Sequence, residues 1–200
     1  LRQAEEAGPR YLRPLASIRR GDARSLPYAE ASADLVLLLG PLYHLQEAED
    51  RLAALLEARR VLKPGGLLFA AAISRFASLV DGLRSGSVLH DPVFAAIVKD
   101  DLRDGRHRND TRNPQYFTSA YFHRPEDLLA EIAEAGFAGG RLYAVEGPAF
   151  ALPDFAAHWA DPARREALLG FLRLVETEPA LMGASPHLLA CARKATRPRR

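Results

Sequence analysis

Two short, almost wholly apolar segments, one helix apart, restrict the fold of this chain more than any other feature. Asp34–Leu39 reads DLVLLL and Leu67–Ile73 reads LLFAAAI. Near-continuous apolar runs of this length are what strands covered on both faces of a parallel sheet look like. Between them, Glu47–Leu62 places Leu52, Leu55, Leu56 and Leu62 at three- and four-residue spacings, with charges opposite, which predicts an amphipathic helix. Gly40-Pro41 ends the first run, and Lys63-Pro64-Gly65-Gly66 stops the helix with a cation, a helix breaker and two glycines. Strand, helix and strand in this order form a βαβ unit with a right-handed crossover.

The rest of the chain extends an α/β plan. A partial helix, LRQAEEAGPRYLRPL, precedes a strand candidate at Ala16–Arg19, the turn Gly21-Asp22, and a loop over Leu26–Ala33. Ser74–Phe122 breaks the pattern with amphipathic pieces at Phe76–Leu83 and Pro92–Leu102 and a polar, basic stretch at Asp104–Asn113, and reads as an insertion over the sheet. A helix is expected at Pro125–Ala135 and a strand at Leu142–Glu146. Further helices should fill Phe155–Thr177, broken at Asp161-Pro162, before a last strand at His187–Arg193. The divisions are a partial core over residues 1–75, a lid over 76–122, the rest of the core with a helical insertion over 123–194, and a basic tail over 195–200.

With 48% hydrophobic and 26% charged residues, the composition is that of a globular protein with a core. The formal charge is +2, but Arg193, Lys194, Arg197, Arg199 and Arg200 crowd the end, and the body without them is mildly acidic. That argues against nucleic acid as a partner, and such a tail is more often a solvated terminus. The one cysteine, Cys191, excludes an internal disulfide and reads as a buried strand residue. No apolar run approaches the roughly 20 residues of a membrane span, so a cytoplasmic protein without membrane partners is expected. The six histidines are scattered without metal-ligand spacing, so no metal is expected.

Three segments together resemble the class I S-adenosylmethionine-dependent methyltransferases, in particular a bacterial small-molecule branch. They are GDARSLPYAEASADLVLLLGPLYHL (Gly21–Leu45), EARRVLKPGGLLFAAAISR (Glu57–Arg75) and FHRPEDLLAEIAEAGF (Phe122–Phe137). Pro186–Lys194 resembles that family's final strand. The resemblance implies a Rossmann-like sheet with helices on both faces, a helical lid insertion, and S-adenosyl-L-methionine as cofactor for methylation of a small-molecule acceptor.

Ligands of open α/β sheets bind beyond the carboxyl ends of the strands, and the resemblance assigns residues there. Asp22 matches the carboxylate that accepts from the adenine amino group, with the Ala23 amide beside it. Leu39, Gly40 and Tyr43 match the loop against the methionyl part of the cofactor. On the substrate side the candidates are Arg75, Tyr116, Tyr121 and His123. His44 is the candidate proton acceptor, with His90 and His107 as further bases in the lid. Arg75 is equally well read as an ion pair tying the lid down. Methyl transfer from an activated sulfonium needs positioning and desolvation more than a nucleophile, which fits the absence of a triad.

The family's first strands and glycine-rich turn have no counterpart, and Met182 is the only methionine. The expectation is therefore an N-terminally truncated chain in which DLVLLL has one bare edge. A catalytically inactive remnant or partner subunit is the alternative from another class. A nicotinamide-dependent Rossmann oxidoreductase is a third reading, against which the PGG turn and an antiparallel-looking last strand pair argue. The acceptor and the oligomeric state are not legible.

Overall fold

The computed structural model describes residues 15–196. The expected first helix and the last residues of the basic tail lie outside that range. The elements are β1 (Ala33–Leu38), α1 (Pro41–His44), α2 (Ala48–Val61), β2 (Leu62–Ser74), α3 (Ala77–Ser85), α4 (Ser87–His90) and α5 (Pro92–Asp104). They continue with β3 (Arg106–His107), β4 (Ala120–His123), α6 (Pro125–Glu134), β5 (Phe137–Ala144), α7 (Phe155–Ala160), α8 (Pro162–Val175) and β6 (His187–Lys194).

β2 organises the sheet. It runs parallel to β1, with Leu35–Leu38 opposite Leu67–Ala70, and parallel to β4 at Ile73 and Ser74. β6 lies antiparallel to β2 from Leu67 to Ile73. A strand has only two edges, so β1 and β4 share one edge of β2 and β6 takes the other. β5 follows, antiparallel to β6, and β3 pairs with β4. The helix between β1 and β2 and the antiparallel β6–β5 pair reproduce the order that the sequence implied.

Side chains at even positions of β2 from Leu68 to Ser74 are buried. Leu68, Ala70 and Ala72 join Leu188, Ala190 and Ala192 of β6 under Leu55 and Ala58 of α2 and Leu128 and Ile132 of α6. Leu55, Leu68, Leu128 and Leu188 have no exposure at all, and burying each leucine contributes about 1.5–3 kcal/mol. The other face is more open. Leu35 and Leu37 of β1 are 47% and 58% exposed, and among the described residues β1 pairs only with β2.

Two expectations need correction. Ala16–Arg19 forms no strand, because no described strand lies beside it to supply hydrogen bonds. Only an isolated bridge, Asp22 to Ser25, forms in that region. Second, Lys63–Gly66 is the bulged beginning of β2 rather than a separate turn. Gly65 holds φ +82°, and a Cβ on Gly66 would lie 2.9 Å from the Lys63 carbonyl and 3.1 Å from that of Asp34. The pair of glycines lets the chain leave α2 and enter the sheet in one step. Arg193 and Lys194 lie in the last strand as expected, and reach back to the same bulge, at the Gly65 and Leu62 carbonyls. Cys191 is half-buried.

Residues 76–119 cover one end of the sheet. Asp91 caps α5, accepting from the amides of Val93 and Phe94 at 2.9 and 3.1 Å, with Pro92 in the first turn. Gly105, at φ +76°, closes α5; a Cβ there would lie 2.5 Å from the Phe122 carbonyl and 2.6 Å from the Arg75 guanidinium. No helix among the described residues is long and apolar enough to cross a membrane.

Candidate active site at the carboxyl ends of the strands

A cavity of about 440 Å³ opens where β1 and β2 end, beneath the covering segment. Its walls are mainly apolar, with Ile73, Phe117, Phe122 and Phe150 around the space, and Tyr43 and His44 of α1 also line it. Volume and lining suit a small organic molecule. Ile73 and His187 are register partners at the end of the β2–β6 ladder, so their side chains share the face opposite the α2–α6 core.

His187, also on the wall, is held by its neighbours. Because β5 and β6 are antiparallel, the exit of β5 lies beside the entrance of β6. Glu146 follows β5, and its Oε1 accepts from His187 Nδ1 at 2.5 Å. The second oxygen accepts from the His187 amide at 3.1 Å and from the Ser185 hydroxyl at 3.0 Å. The carboxylate raises the imidazole pKa, against the opposing effect of burial. Burial pushes the Glu146 pKa up, but the bonds from His187 and Ser185 outweigh it and hold the group below the ordinary range. Among the described residues, Nε2 of His187 has no hydrogen-bond partner.

A second histidine–carboxylate pair lies inside the cover. His107 Nδ1 is 2.9 Å from Asp101 Oδ2, which also accepts from the Ser78 hydroxyl at 2.6 Å. Nε2 meets the Tyr116 carbonyl at 2.7 Å. Both ring nitrogens therefore face acceptors, a pattern that only an imidazolium satisfies fully. Burial works against that charge, yet Asp101 and the Tyr116 carbonyl outweigh it and raise the pKa.

Residues 1–70 match the family model of a methyltransferase domain. A SAM-dependent methyltransferase from Methanosarcina mazei superposes with a TM-score of 0.57 at 18% identity, over 98% of this chain and 77% of the other. An S-adenosylmethionine-dependent methyltransferase from Mesorhizobium loti gives 0.51 at 15% identity, over 88% and 68%. No curated protein matches the chain in sequence. This is a class I methyltransferase fold.

Within that methyltransferase fold the expected residues divide into two groups. Tyr43 and His44 line the cavity, their rings 4.8 Å apart. Gly40 precedes them on the loop leaving β1, and its missing Cβ would point toward the Tyr43 hydroxyl at 3.5 Å. Leu39 is exposed beside it. Asp22 is exposed, held at a pKa of about 2 by the Arg24 side chain and amide. Arg24 also binds Asp50 at 2.8 Å, joining this turn to the start of α2. Ala23 packs against the core.

The substrate-side candidates are elsewhere, and none of the four is on the cavity wall. Arg75 is buried, donates from Nε to the Phe122 carbonyl at 2.9 Å and lies 3.8 Å from Asp127. That placement joins the end of β2 to β4 and α6. The Tyr116 hydroxyl donates to Asp91 at 2.6 Å. Tyr121 lies under the Arg51 guanidinium, 3.6 Å from its centroid. Arg51 in turn binds Glu131 at 2.7 Å, and His123 Nε2 meets the same carboxylate at 3.1 Å. Burial keeps His123 below its ordinary pKa despite Glu131. Among the lid histidines, His90 is exposed and His107 is sealed in its clamp.

Sequence reasoning missed His187 and Glu146. Their one signal was position, the first residue of the last strand and the residues just past the preceding one, and it acquires meaning only once the two strands are antiparallel.

Proposed function

We propose that this chain transfers a methyl group from S-adenosyl-L-methionine to a small-molecule acceptor bound in the cavity. The observation that carries the reading is the position of that cavity, at the carboxyl ends of β1 and β2 and bordered by the loop that starts at Gly40. The sequence match over residues 1–70 supports the same chemistry.

The residues suit the cofactor on two counts. Gly40 presents bare backbone, as close approach of a ligand needs. Asp22 is ionised and exposed, and its partner Arg24 is an exposed, screened group that yields to a competing donor at low cost. Asp22 and Ala23 would hold the adenine, and Leu39, Gly40 and Tyr43 the methionyl part. When bound, the cofactor supplies an activated methyl group. The chain's part is to orient the acceptor and exclude water with Phe117, Phe122 and Phe150.

Isothermal titration of the chain with S-adenosylhomocysteine tests the assignment. Saturable binding is expected, weakened at least tenfold by Gly40→Val. Binding of a nicotinamide dinucleotide in its place, or no heat with either, would overturn it.

A further inference from the structure

We propose that His187 is the proton acceptor of this site, positioned by Glu146, and that the acceptor is a planar, apolar molecule bearing an acidic hydroxyl, a phenol or enol. The proposal rests on the methyl-transfer reading above and assigns the acceptor's reacting group.

The geometry is that of an oriented base. Glu146 takes the Nδ1 proton at 2.5 Å and is itself fixed by the Ser185 hydroxyl and the His187 amide. The neutral ring is thereby fixed as the tautomer whose Nε2 carries the lone pair. That atom has no partner among the described residues, and the side chain stands on the cavity wall. The orientation of imidazole by a carboxylate is what general-base catalysis requires. His107 has a carboxylate partner too, but its Nε2 is spent on the Tyr116 carbonyl and its ring is fully buried.

The chemistry of the wall selects the acceptor. Ile73, Phe117, Phe122 and Phe150 favour a flat apolar body. The other titratable groups facing the cavity are Tyr43 and His44 of α1 and Asp81 of α3, the last paired with Arg84 at 3.2 Å. A carboxylate on the wall disfavours an acceptor that arrives as an anion. The apolar walls disfavour a charged acceptor of either sign, so it enters neutral and loses its proton at the site. A neutral amine already has a nucleophilic lone pair and sheds its proton after attack, so it has no need of a built base. A hydroxyl oxygen is a weak nucleophile until its proton leaves.

The balanced step is direct. The hydroxyl proton passes to His187 Nε2 as the oxygen forms its bond to the methyl carbon and the carbon–sulfur bond breaks. The sulfur keeps the electron pair and becomes a neutral thioether. The positive charge of the sulfonium is replaced by that of the imidazolium, which Glu146 neutralises.

The test uses 4-nitrophenol, whose phenolate is coloured, with S-adenosylhomocysteine present. The wild-type chain should bind the probe and lower its apparent pKa, because the phenolate pairs with the imidazolium. His187→Gln should return that pKa to its solution value. Glu146→Gln should shrink the shift without abolishing it, since an amide oxygen still accepts from Nδ1. Thermal melting establishes that each variant is folded, and titration with S-adenosylhomocysteine on the same samples reads cofactor binding separately. If the cofactor product binds but 4-nitrophenol does not, or binds with an unshifted pKa, the proposal is overturned while the methyl-transfer reading stands. A shift that survives His187→Gln, or binding of phenethylamine alone, overturns it equally. Failure of S-adenosylhomocysteine to bind the wild-type chain instead removes the reading beneath it.

Discussion

His107 and His187 are both histidines bonded through Nδ1 to a carboxylate, yet the fold uses them in opposite ways. His107 is at zero exposure, with Asp101 on one side and a carbonyl on the other, and every polar atom of the group is spent. His187 is 51% exposed on the cavity wall, with one nitrogen held and the other without a partner among the described residues. A carboxylate partner therefore says little about a histidine's role. The fate of the second nitrogen decides it: satisfied, the pair is a clamp; free and facing a cavity, it is a base.

The sharpest way to break this comparison is to remove the clamp. His107→Ala leaves the Asp101 carboxylate buried with only Ser78, and a loss of about 3–5 kcal/mol is expected in urea unfolding. A loss below about 1 kcal/mol would show that the cover does not depend on the pair. Next in size, Gly105→Ala forces a side chain into left-handed backbone against the Phe122 carbonyl and the Arg75 guanidinium. A cost of about 2–4 kcal/mol is expected, with faster amide exchange across α5. An unchanged melting curve would remove the tie between cover and sheet.

A pH effect of the same sign is expected from both histidines, and the buried pair should dominate it. The folded pKa of His107 is raised above its ordinary 6.5, so the stabilisation it gives is complete below that value. It is lost as pH rises through the raised one, because the unfolded chain gives up its proton first. Stability measured across this window should fall with pH in the wild-type chain, and His107→Ala should flatten the slope. The smallest effect is expected at His187→Gln, within about 0.5 kcal/mol of wild type, since the residue is half-exposed and its ion pair is screened. A larger loss would mean that His187 supports the fold and would blur the distinction drawn above.

Much of the sheet was legible in the residues. DLVLLL and LLFAAAI gave β1 and β2 because apolar runs of that length belong to a sheet, although β1 pairs only with β2 among the described residues, and the stripe through Leu52 and Leu55 gave α2. The break at Asp161-Pro162 and the start of the amphipathic piece at Pro92 also fell where helices start, since a proline after a capping residue fits the first turn. Local sequence misplaced the bulge at Gly65-Gly66. What demands glycine there is the approach of the Asp34 carbonyl from β1, a contact between distant residues.

The site was less legible for the same reason. Tyr43 and His44, picked out because they follow β1 directly at the carboxyl end of a parallel strand, line the cavity. Aromatic and cationic side chains in the covering segment gave no such guide. Tyr121 and His123 sit on a strand whose pairing with β2 turns them toward Arg51 and Glu131, and Arg75 is drawn into the Phe122 carbonyl.

The sequence by itself determined the βαβ unit, the break at Gly40-Pro41 and the methyltransferase resemblance, all of which rest on neighbours within a few residues or on one element's periodicity. Only the tertiary structure decided which histidine is open. Glu146 and His187 are brought together by the antiparallel pairing of β5 and β6, while Asp101 and His107 are enclosed by packing from Ser78 and Tyr116. Composition and spacing carry no record of that difference, because it depends on what fills the space beyond the second nitrogen.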